Sequence, residues 1–248
     1  MKILVTGSDG FIAQNLIETL IKNPLLSLLT HNRGGTKSGL FEKLEEADFL
    51  FHLAGVNRSS DESEFVRVNV ELTEIITSYL KSIGHLIPIV FSSSIQSGRE
   101  TIYGKTKLDA ELILTEYASD AGDVVRIYRL PNVFGKWSKP DYNSAVATFC
   151  FRVANDLEIS LPNPASPLML VYVDDVVESF VGDLDQKMTS GIMGEVRPVY
   201  ETTVGNVCEI IKNFKNPKEN NENKSQLDYL IKNLEKTYLY FLNNKKIC

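Results

Sequence analysis

The sequence predicts an α/β protein built on a doubly wound parallel sheet. Short apolar runs alternate with helical patterns from residue 2 to about residue 130, as in sheets whose strands are buried and connected by helices. The first apolar run is followed at once by a glycine-rich turn and an amphipathic helix. From Pro131 the sequence pattern changes, and it indicates a long loop followed by shorter elements. We therefore expect a first domain over 1–130, and a second portion over 131–248 that is intertwined with it in a single compact unit.

Hydrophobic spacing places the elements of the first domain. Apolar runs predict strands over 2–6, 25–30, 48–53, 86–93 and 124–130. Apolar residues at helical spacing predict helices over 11–22, 40–47, 65–82 and 103–117.

The elements of the second portion are shorter and more often interrupted. We expect loops of three kinds, a long loop, a turn-rich connector and a mobile polar loop, over 131–143, 161–167 and 215–225. Helices are expected over 149–154 and 227–242, and a strand over 169–173. We interpret Asp174 and Asp175, which follow this strand, as a helix N-cap rather than a metal site.

The composition argues against several classes of function. The net charge of −6 disfavours general binding to nucleic acid or to a membrane surface. No apolar run approaches the ~18 residues of a membrane helix, and the N-terminal run is too short for a signal peptide. The three cysteines lack the spacing of a zinc or redox site. We therefore expect a cytoplasmic protein without a metal centre.

The glycine-rich turn after the first strand predicts a dinucleotide site. Gly7 and Gly10 let the backbone turn tightly and approach a pyrophosphate, which the N-terminus of the next helix then stabilises. Ala13 lies where close helix–strand packing favours a small residue. The position of this turn, directly after an N-terminal strand, favours cofactor binding more strongly than the glycine spacing does by itself.

The end of the second predicted strand indicates which dinucleotide binds. An NAD site usually has an acidic residue there, which binds the ribose 2′-hydroxyl. Here no Asp or Glu appears before Glu42, whereas Arg33 is available for a 2′-phosphate. The segment favours NADP(H) over NAD; the alternative is that Arg33 is a solvated loop cation.

The segment from Ser92 to Lys107 carries groups suited to acid/base chemistry on a carbonyl–alcohol pair. Its three serines end a strand, at the edge where open α/β sheets bind ligands. Tyr103 and Lys107 are four residues apart in a helix and share a face. A lysine cation there would lower the phenol pKa, ordinarily about 10, towards neutrality. An ordinary helix face is the alternative, because this spacing is common.

Three further features have two readings each. His52, within an apolar strand, is more typical of a satisfied core histidine than of a ligand. Asn69 is either a core hydrogen-bonding group or a group that positions the active site. The loop over 131–143 carries two lysines and the single tryptophan, which suits a nucleotide diphosphate and its sugar, or it is a plain surface loop.

Five motifs, in this order along the chain, resemble the extended short-chain dehydrogenase/reductase superfamily. They are Thr6-Gly7-x-x-Gly10-Phe11-Ile12, His52-Leu53-Ala54-Gly55, Ser92-Ser93-Ser94, Tyr103-x-x-x-Lys107 and Tyr172-Val173-Asp174-Asp175. The resemblance implies a Rossmann-type fold with a small C-terminal substrate-binding subdomain, and a homodimer. It also implies that Tyr103 is the catalytic acid/base and that Lys107 binds the nicotinamide ribose and lowers the tyrosine pKa. Ser94, or alternatively Ser93, matches the catalytic serine.

A narrower resemblance is to the reductase half of CapF-type capsular polysaccharide enzymes. It rests on the segments 52–58, 92–96, 128–137 and 142–144, and on the short gap between Ser94 and Tyr103. In that family an NADPH-dependent domain reduces the C4 ketone of a UDP-2-acetamido-2,6-dideoxy-4-ketohexose towards N-acetyl-L-fucosamine. The chain ends where the family's cupin domain, which first epimerises the sugar, would begin. Three explanations stay open: a separated domain, a single-domain relative, or an enzyme whose epimerase is another polypeptide.

The resemblance and the residues together predict an NADPH-dependent nucleotide-sugar 4-ketoreductase. The alternatives are an NAD-dependent nucleotide-sugar 4-epimerase or dehydratase, and a non-catalytic NADP-binding regulator. The expected catalytic residues are Ser94, Tyr103 and Lys107. The expected cofactor-binding residues are Gly7, Ser8, Gly10, Phe11, Ile12, Arg33, Leu53, Ala54, Gly55, Lys107 and Pro131. The expected substrate-binding residues are Asn57, Arg58, Ser94, Gln96, Asn132, Lys136, Trp137, Lys139 and Asn143.

Overall fold

The computed structural model describes residues 1–122, 125–185, 192–215 and 226–244. The chain divides into two compact units. The first comprises Met1–Leu130 and Val177–Val196, and the second comprises Pro131–Val176 and Arg197–Cys248. All but the first residue of the polar loop expected over 215–225 lie outside the described residues.

Strands and helices alternate along most of the described chain. The strands are β1 Lys2–Thr6, β2 Ser27–His31, β3 Phe49–His52, β4 Ile89–Ser94, β5 Val125–Leu130, β6 Asn132–Phe134, β7 Pro167–Tyr172, β8 Met193–Gly194 and β9 Tyr200–Thr203. The helices are α1 Phe11–Leu20, α2 Lys37–Glu46, α3 Glu62–Phe65, α4 Leu72–Ser82, α5 Ile102–Ala121, α6 Ala145–Ala154, α7 Val173–Asp185, α8 Val204–Asn213 and α9 Gln226–Asn243. A π-helical segment, Val66–Glu71, joins α3 to α4.

A parallel sheet organises the first unit. Among the described residues its strand order is β2-β1-β3-β4-β5-β8, and each neighbouring pair is parallel. The order changes direction between β1 and β3, so right-handed crossovers place helices on both faces. The predicted Rossmann-type, doubly wound parallel sheet is confirmed.

Pro88 and a π-helical segment account for two differences from the predicted bounds in this unit. Strand β4 begins at Ile89 rather than at residue 86, and Pro88 before it has no N–H to donate to a neighbouring strand. The predicted helix over 65–82 starts earlier, at Glu62, and contains the π-helical segment Val66–Glu71. Hydrophobic spacing does not reveal such a segment, because apolar residues three and four apart fit both a regular α-helix and a helix that contains one extra residue.

One part of the core of the first unit lies between the sheet and the helices α2, α4 and α5. Leu50, Ile89 and Phe91 from the strands, and Leu80 and Leu114 from the helices, are completely buried in one apolar cluster. Burial of each such side chain contributes about 1.5–3 kcal/mol to stability. This packing fixes α5, which carries Tyr103 and Lys107, against the end of β4.

Residues 177–196 return to the first unit, whereas the sequence-based division placed all of 131–248 in the second portion. Strand β8 pairs with β5 in the large sheet. In α7, the ring of Phe180 stacks near Phe51, with 6.1 Å between their centroids. The carboxylate of Asp183 accepts a hydrogen bond of 2.7 Å from the Tyr128 hydroxyl. These contacts join segments that are distant in the sequence, which a change of composition along the chain does not reveal.

The second unit contains a small mixed sheet and a group of helices. Among its described residues β6 is parallel to β7, and β9 is antiparallel to β7. Helices α6, α8 and α9 pack against one another. The expectation of an uninterrupted loop over 131–143 is wrong, because Asn132–Phe134 forms β6. Strand β6 is only three residues long and its partner β7 is distant in sequence, so the local pattern does not reveal it.

The aspartate pair lies inside a helix rather than at its N-cap. Helix α7 begins at Val173, so Asp174 and Asp175 occupy its first turn, and the N-cap interpretation is wrong. Negative charges in a first turn interact favourably with the helix dipole. Asp175 also accepts a hydrogen bond of 2.9 Å from the Tyr229 hydroxyl of α9.

Within the described residues no helix is long and apolar enough to cross a membrane.

Tyr117 provides a test of how α5 is held. Its buried hydroxyl accepts a hydrogen bond from the Ile87 N–H at 2.9 Å and donates one to the Ile87 carbonyl at 3.0 Å. We expect Tyr117→Phe to lower the free energy of unfolding by about 1–3 kcal/mol, because both backbone groups lose their partner. Urea unfolding monitored by circular dichroism measures this change. The matched control is Tyr79→Phe, whose hydroxyl bonds Glu45 near the surface, and an equal loss in both variants would contradict the prediction.

Candidate active site

The glycine-rich turn meets the loop after β3 at the point where the strand order reverses. Gly7 has φ +67°, and a Cβ built there would lie only 2.7 Å from the Ala54 N and Cα atoms. Any other residue would therefore push the two loops apart. Open α/β sheets bind ligands at this place, beyond the carboxyl ends of the strands. The structure thus brings Gly7 together with Leu53 and Ala54, as expected for a cofactor site.

The start of α1 is arranged to face an anion. Gly10 precedes the helix in an extended conformation, and no side chain caps the first turn. The Gly10 N–H donates to the Gly7 carbonyl at 2.8 Å, and the Ser8 N–H donates to the His31 carbonyl at 3.3 Å. Phe11 and Ile12 begin α1 and are partly exposed. An uncapped helix N-terminus behind a tight glycine turn fits a pyrophosphate, so these residues fit a dinucleotide.

Arg33 has an ionic partner that the sequence did not reveal. Its side chain is 77% exposed, and its Nη2 atom lies 2.9 Å from Oε1 of Glu64 in α3. Arg33 is therefore not an isolated loop cation in this structure. A ligand phosphate at this position would compete with the Glu64 carboxylate for the guanidinium group.

The Ser94 and Tyr103 side chains lie together at the end of β4. The Tyr103 hydroxyl is hydrogen-bonded to that of Ser94, which also accepts a bond of 3.1 Å from the Gln96 N–H. Ser94, rather than Ser93, is thus the serine beside the phenol. Ser93 has another role, because its hydroxyl donates to the carboxylate of Glu111.

Lys107 is held behind Tyr103 by the backbone of β4. Its side chain is nearly inaccessible, at 3% exposure for the residue. The Nζ atom donates to the Ser92 carbonyl at 2.6 Å and lies 4.2 Å from the centroid of the Phe91 ring. A Cβ built on Gly55 would lie 3.7 Å from Nζ, so the loop after β3 also approaches the lysine.

The pKa of Tyr103 differs from the expectation, and that of Lys107 is also shifted. Burial raises the pKa of Tyr103 above its usual value, and the hydrogen bond with Ser94 opposes this only in part. Burial also lowers the pKa of Lys107 to about 7, against the effect of the nearby Glu111 carboxylate, which raises it. The expected lowering of the tyrosine pKa by Lys107 is therefore not found, because desolvation of the phenol dominates. Tyr103 is a protonated phenol at neutral pH, which suits a proton donor.

Asn69 fixes the loop after β3 to the catalytic helix. Its Oδ1 atom accepts from the Val56 N–H at 2.8 Å, and its Nδ2 atom donates to the Val56 carbonyl at 2.9 Å and to Thr106 Oγ1 at 3.1 Å. Asn69 is thus a core hydrogen-bonding group, as in the first of its two readings, and it joins the loop after β3 to α5. Its role in positioning the active site stays a prediction. Asn69 lies in the π-helical segment, and such turns are frequent at functional sites.

His52 is a core histidine with both ring nitrogens bonded, as expected. Nδ1 lies 2.8 Å from Thr6 Oγ1, and Nε2 lies 3.0 Å from Thr73 Oγ1. Thr73 donates its only hydroxyl proton to the Asn69 carbonyl at 2.9 Å, so the His52 Nε2–H must donate to Thr73. Nδ1 then accepts from Thr6, which requires a neutral ring. Burial, together with the charge of Lys107, lowers the pKa of His52 to about 3.

Gly104 allows the short connection between Ser94 and Tyr103. A Cβ built on Gly104 would lie 2.6 Å from the carbonyl oxygens of Gln96 and Arg99, so the turn over 96–99 packs directly on the helix backbone. The Gly98 N–H donates to the Gly104 carbonyl at 3.0 Å. The packing of this turn on Gly104 fixes the start of α5, and with it Tyr103, close to the end of β4.

The remaining substrate candidates lie in both units. In the first, Asn57 and Arg58 are exposed and Gln96 is half-buried. The second unit holds the others, together with the expected cofactor residue Pro131. There the Asn132 amide donates to the Met169 carbonyl at 3.0 Å, and Lys136 Nζ lies 4.4 Å from the Trp137 ring centroid. Lys139 and Asn143 are exposed. Among the described residues no cluster of three or more His, Cys, Asp or Glu side chains could hold a metal ion.

One buried residue at this site was missed by the sequence reasoning. Glu111 follows Lys107 by one helical turn and bonds both Ser93 and Arg129. The spacing from Tyr103 through Lys107 to Glu111 could have indicated it, since residues four apart share a helix face. Its partners on β4 and β5 could not be known before the strands were paired.

Sequence comparison assigns the family. Residues 3–191 match the profile of the NAD dependent epimerase/dehydratase family. The chain belongs to this family. It is 40% identical, over 242 residues, to UDP-2-acetamido-2,6-beta-L-arabino-hexul-4-ose reductase from Pseudomonas aeruginosa. That alignment covers 98% of this chain and 65% of the relative, so the chain spans slightly less than two thirds of the relative's length.

Solved structures agree with this assignment. The capsular polysaccharide assembling protein CapF from Staphylococcus aureus has a TM-score of 0.83 and 34% identity, with 100% of this chain and 68% of that chain covered. The UDP-glucuronic acid 4-epimerase from Bacillus cereus in complex with NAD has a TM-score of 0.82, with 99% and 100% covered. At 18% identity, the epimerase shows a shared fold alone. The resemblances to extended short-chain dehydrogenase/reductases and to CapF are confirmed.

The buried neutral His52 predicts sensitivity to acid. Its pKa of about 3 lies below the value of about 6.5 in the unfolded chain, so between these values the unfolded state binds one more proton. Stability is then highest above about pH 6.5 and falls by up to ~1.4 kcal/mol per pH unit as the pH drops towards 3. We expect His52→Gln to be less stable at pH 7 but to lose less stability between pH 6.5 and 4.5. Urea unfolding at several pH values measures both slopes, and equal slopes would contradict the prediction.

Proposed function

We propose that this protein is an NADPH-dependent reductase of the C4 ketone of a UDP-linked 2-acetamido-2,6-dideoxy-4-ketohexose, of the N-acetyl-L-fucosamine type. The observation that carries the proposal is the protonated Tyr103 phenol, hydrogen-bonded to Ser94, with the buried Lys107 one turn behind it. The Pseudomonas relative, named UDP-2-acetamido-2,6-beta-L-arabino-hexul-4-ose reductase, supports this substrate class.

Each of the three side chains has a separate role in the proposed reduction. The Ser94 hydroxyl binds the ketone oxygen and orients it beside Tyr103. Tyr103 donates its proton to that oxygen as the alkoxide forms, which a phenol with a raised pKa can do because it is fully protonated at neutral pH. The ammonium group of Lys107 then stabilises the phenolate and binds the nicotinamide ribose. A bound nicotinamide cofactor supplies the hydride.

The cofactor is proposed to lie on the glycine-rich turn and the loop after β3. Gly7, Ser8 and Gly10 bind the pyrophosphate against the start of α1, with Phe11 and Ile12 beside it. Leu53, Ala54 and Gly55 line the nicotinamide half. Pro131, which the division of the chain places in the second unit, stays a predicted cofactor residue. Arg33 binds the 2′-phosphate after it exchanges the Glu64 carboxylate for the ligand.

The residues proposed for substrate binding are polar and aromatic, and each unit has its own candidates. Asn57, Arg58 and Gln96 are the candidates in the first unit. In the second, the cations Lys136 and Lys139 suit a diphosphate, and Trp137, Asn132 and Asn143 suit the base and sugar. We further propose a homodimer, and a role in capsule or O-antigen sugar synthesis in which a separate epimerase can precede this step.

The test of this function is the loss of NADPH absorbance on addition of a UDP-2-acetamido-2,6-dideoxy-4-ketohexose. We expect turnover by the natural chain. Tyr103→Phe should lower kcat by at least about a hundredfold, because general acid catalysis typically contributes 10²–10⁴-fold. The affinity for NADPH, measured by fluorescence titration, should change little. Tyr79→Phe serves as the control, since the Tyr79 hydroxyl of α4 makes an exposed hydrogen bond to Glu45 of α2.

The outcomes separate the alternatives. Full activity of Tyr103→Phe would overturn the assignment of the acid. Turnover of UDP-sugars without net consumption of NADPH would instead indicate a 4-epimerase or dehydratase. Cofactor binding without turnover of any nucleotide sugar would indicate a regulator. Reduction that requires an added epimerase would retain the reductase function and make this chain one part of a two-protein pathway.

Cofactor preference provides a second prediction. We expect Arg33→Gln to weaken NADPH binding by about tenfold or more and to leave NADH binding unchanged, because only the 2′-phosphate interacts with the guanidinium group. Glu64→Gln should have the opposite effect on NADPH, since the competing carboxylate is removed. Isothermal titration calorimetry measures both affinities. Lys37→Gln, which removes another exposed cation, is the control, and equal weakening of NADPH and NADH would contradict the assignment.

A further inference from the structure

Glu111 is a buried carboxylate in line with the two catalytic residues of α5. It follows Lys107 by four residues and Tyr103 by eight, so the three side chains lie along one face of the helix. Glu111 is only 4% exposed. A carboxylate is costly to bury unless charged or polar groups compensate for the lost water.

Two residues from adjacent strands compensate for the burial of Glu111. Arg129 donates from Nε to both carboxylate oxygens at 3.1 Å and from Nη2 to Oε2 at 2.6 Å. The Ser93 hydroxyl donates to Oε1. Ser93 and Arg129 are direct partners in the register of β4 and β5, so both donors belong to the rigid sheet. The Arg129 side chain is 44% exposed, whereas the carboxylate is enclosed.

The surroundings of Lys107 make the charge of Glu111 important. Lys107 packs on the Phe91 ring and bonds the neutral Ser92 carbonyl, neither of which carries a full negative charge. Burial favours the uncharged amine, and the Glu111 carboxylate opposes this. Two further ionisable groups at this end are His52 on β3, which interacts with the charge of Lys107 and is neutral above about pH 3, and Tyr103, which is a protonated phenol at neutral pH. The α4 and π-helical side presents the uncharged groups Asn69 and Thr73.

We propose that Glu111, fixed by Ser93 and Arg129, is a positioning residue that keeps the Lys107 amino group protonated and bonded to the end of β4. Arg129 has two opposing effects in this arrangement, since it orients the carboxylate and also offsets part of its charge. The inference rests on the proposed function, in which a charged Lys107 stabilises the Tyr103 phenolate.

The test uses two substitutions. An electrostatic role of Glu111 and a merely structural role predict different results for them. Glu111→Gln keeps the size of the side chain but removes its charge, and leaves the positive charge of Arg129 uncompensated. We therefore expect the pH at which Lys107 loses its proton to fall by about 0.5–1 unit. Arg129→Gln leaves the Glu111 charge less compensated, and should raise that pH by a similar amount. A merely structural role would make both variants change in the same direction.

The protonation of Lys107 can be followed without substrate. The lysine side chains are labelled with ¹³C at Cε, the Lys107 resonance is assigned by its loss in Lys107→Met, and its shift is titrated in the full chain. Opposite displacements in Glu111→Gln and Arg129→Gln support the proposal, and no displacement or a common direction overturns it. Arg129→Lys, which retains the positive charge, should titrate like the natural chain. Should Glu111→Gln fail to fold, the contrast between Arg129→Gln and Arg129→Lys decides the question alone.

The pH profile of kcat/KM is the second readout. Activity that requires charged Lys107 falls as the pH rises through its pKa, so this limb should move to lower pH in Glu111→Gln and to higher pH in Arg129→Gln. Opposite displacements of the NMR titrations in a protein that reduces no ketosugar would overturn the proposed function and leave the electrostatic role of Glu111 supported. Active variants with unmoved titrations would overturn the role of Glu111 alone.

Discussion

Burial of the Lys107 amino group is the constraint on which the candidate site depends. Removing a lysine ammonium from water costs several kcal/mol, so its surroundings must compensate if the charge is to persist. The end of β4 supplies a carbonyl and an aromatic face, and the next turn of α5 supplies a carboxylate. The position of helix α5 along β4 must therefore be fixed. It is fixed by the packing of Gly104 on the preceding turn and by the two hydrogen bonds between Tyr117 and Ile87.

The sheet was predictable because its inner strands β1, β3, β4 and β5 are almost wholly buried. A run such as Ile89 to Phe91 is apolar whatever its neighbours are, and its alternation with helices allows few topologies. Strand β6 and the return of 177–196 to the large sheet were not predictable, since both exist through pairing with distant segments. The aspartates of α7 were wrongly interpreted as an N-cap because Val173, an apolar residue, already belongs to the helix.

The candidate site also combines features that follow from the local sequence with features that depend on the tertiary fold. Spacing along the chain was enough to place Tyr103 and Lys107 on one helix face, and the strand end predicted a serine near the phenol. The family resemblance favoured Ser94 over Ser93, and Ser94 is the serine that is hydrogen-bonded to Tyr103. The predicted direction of the Tyr103 pKa shift was wrong, because the sequence shows which charges are near the phenol but not how strongly the phenol is desolvated. The ion pair of Arg33 with Glu64 and the contacts of Glu111 with β4 and β5 also require the tertiary fold. Local chemistry was thus predictable, whereas its electrostatic setting was not.

The π-helical segment Val66–Glu71 makes the length of this helix a functional property. It contains one residue more per turn than the α-helices on either side, and each residue of an α-helix turns the chain by about 100°. Loss of a single residue from this segment would leave the helix nearly as long but would rotate α3 relative to α4. Phe65, whose ring lies 6.4 Å from that of Tyr103, and the Asn69 amide could then no longer face inward with Thr73. At this point of the chain a deletion acts as a rotation, so chain length is constrained even where side-chain identity is not.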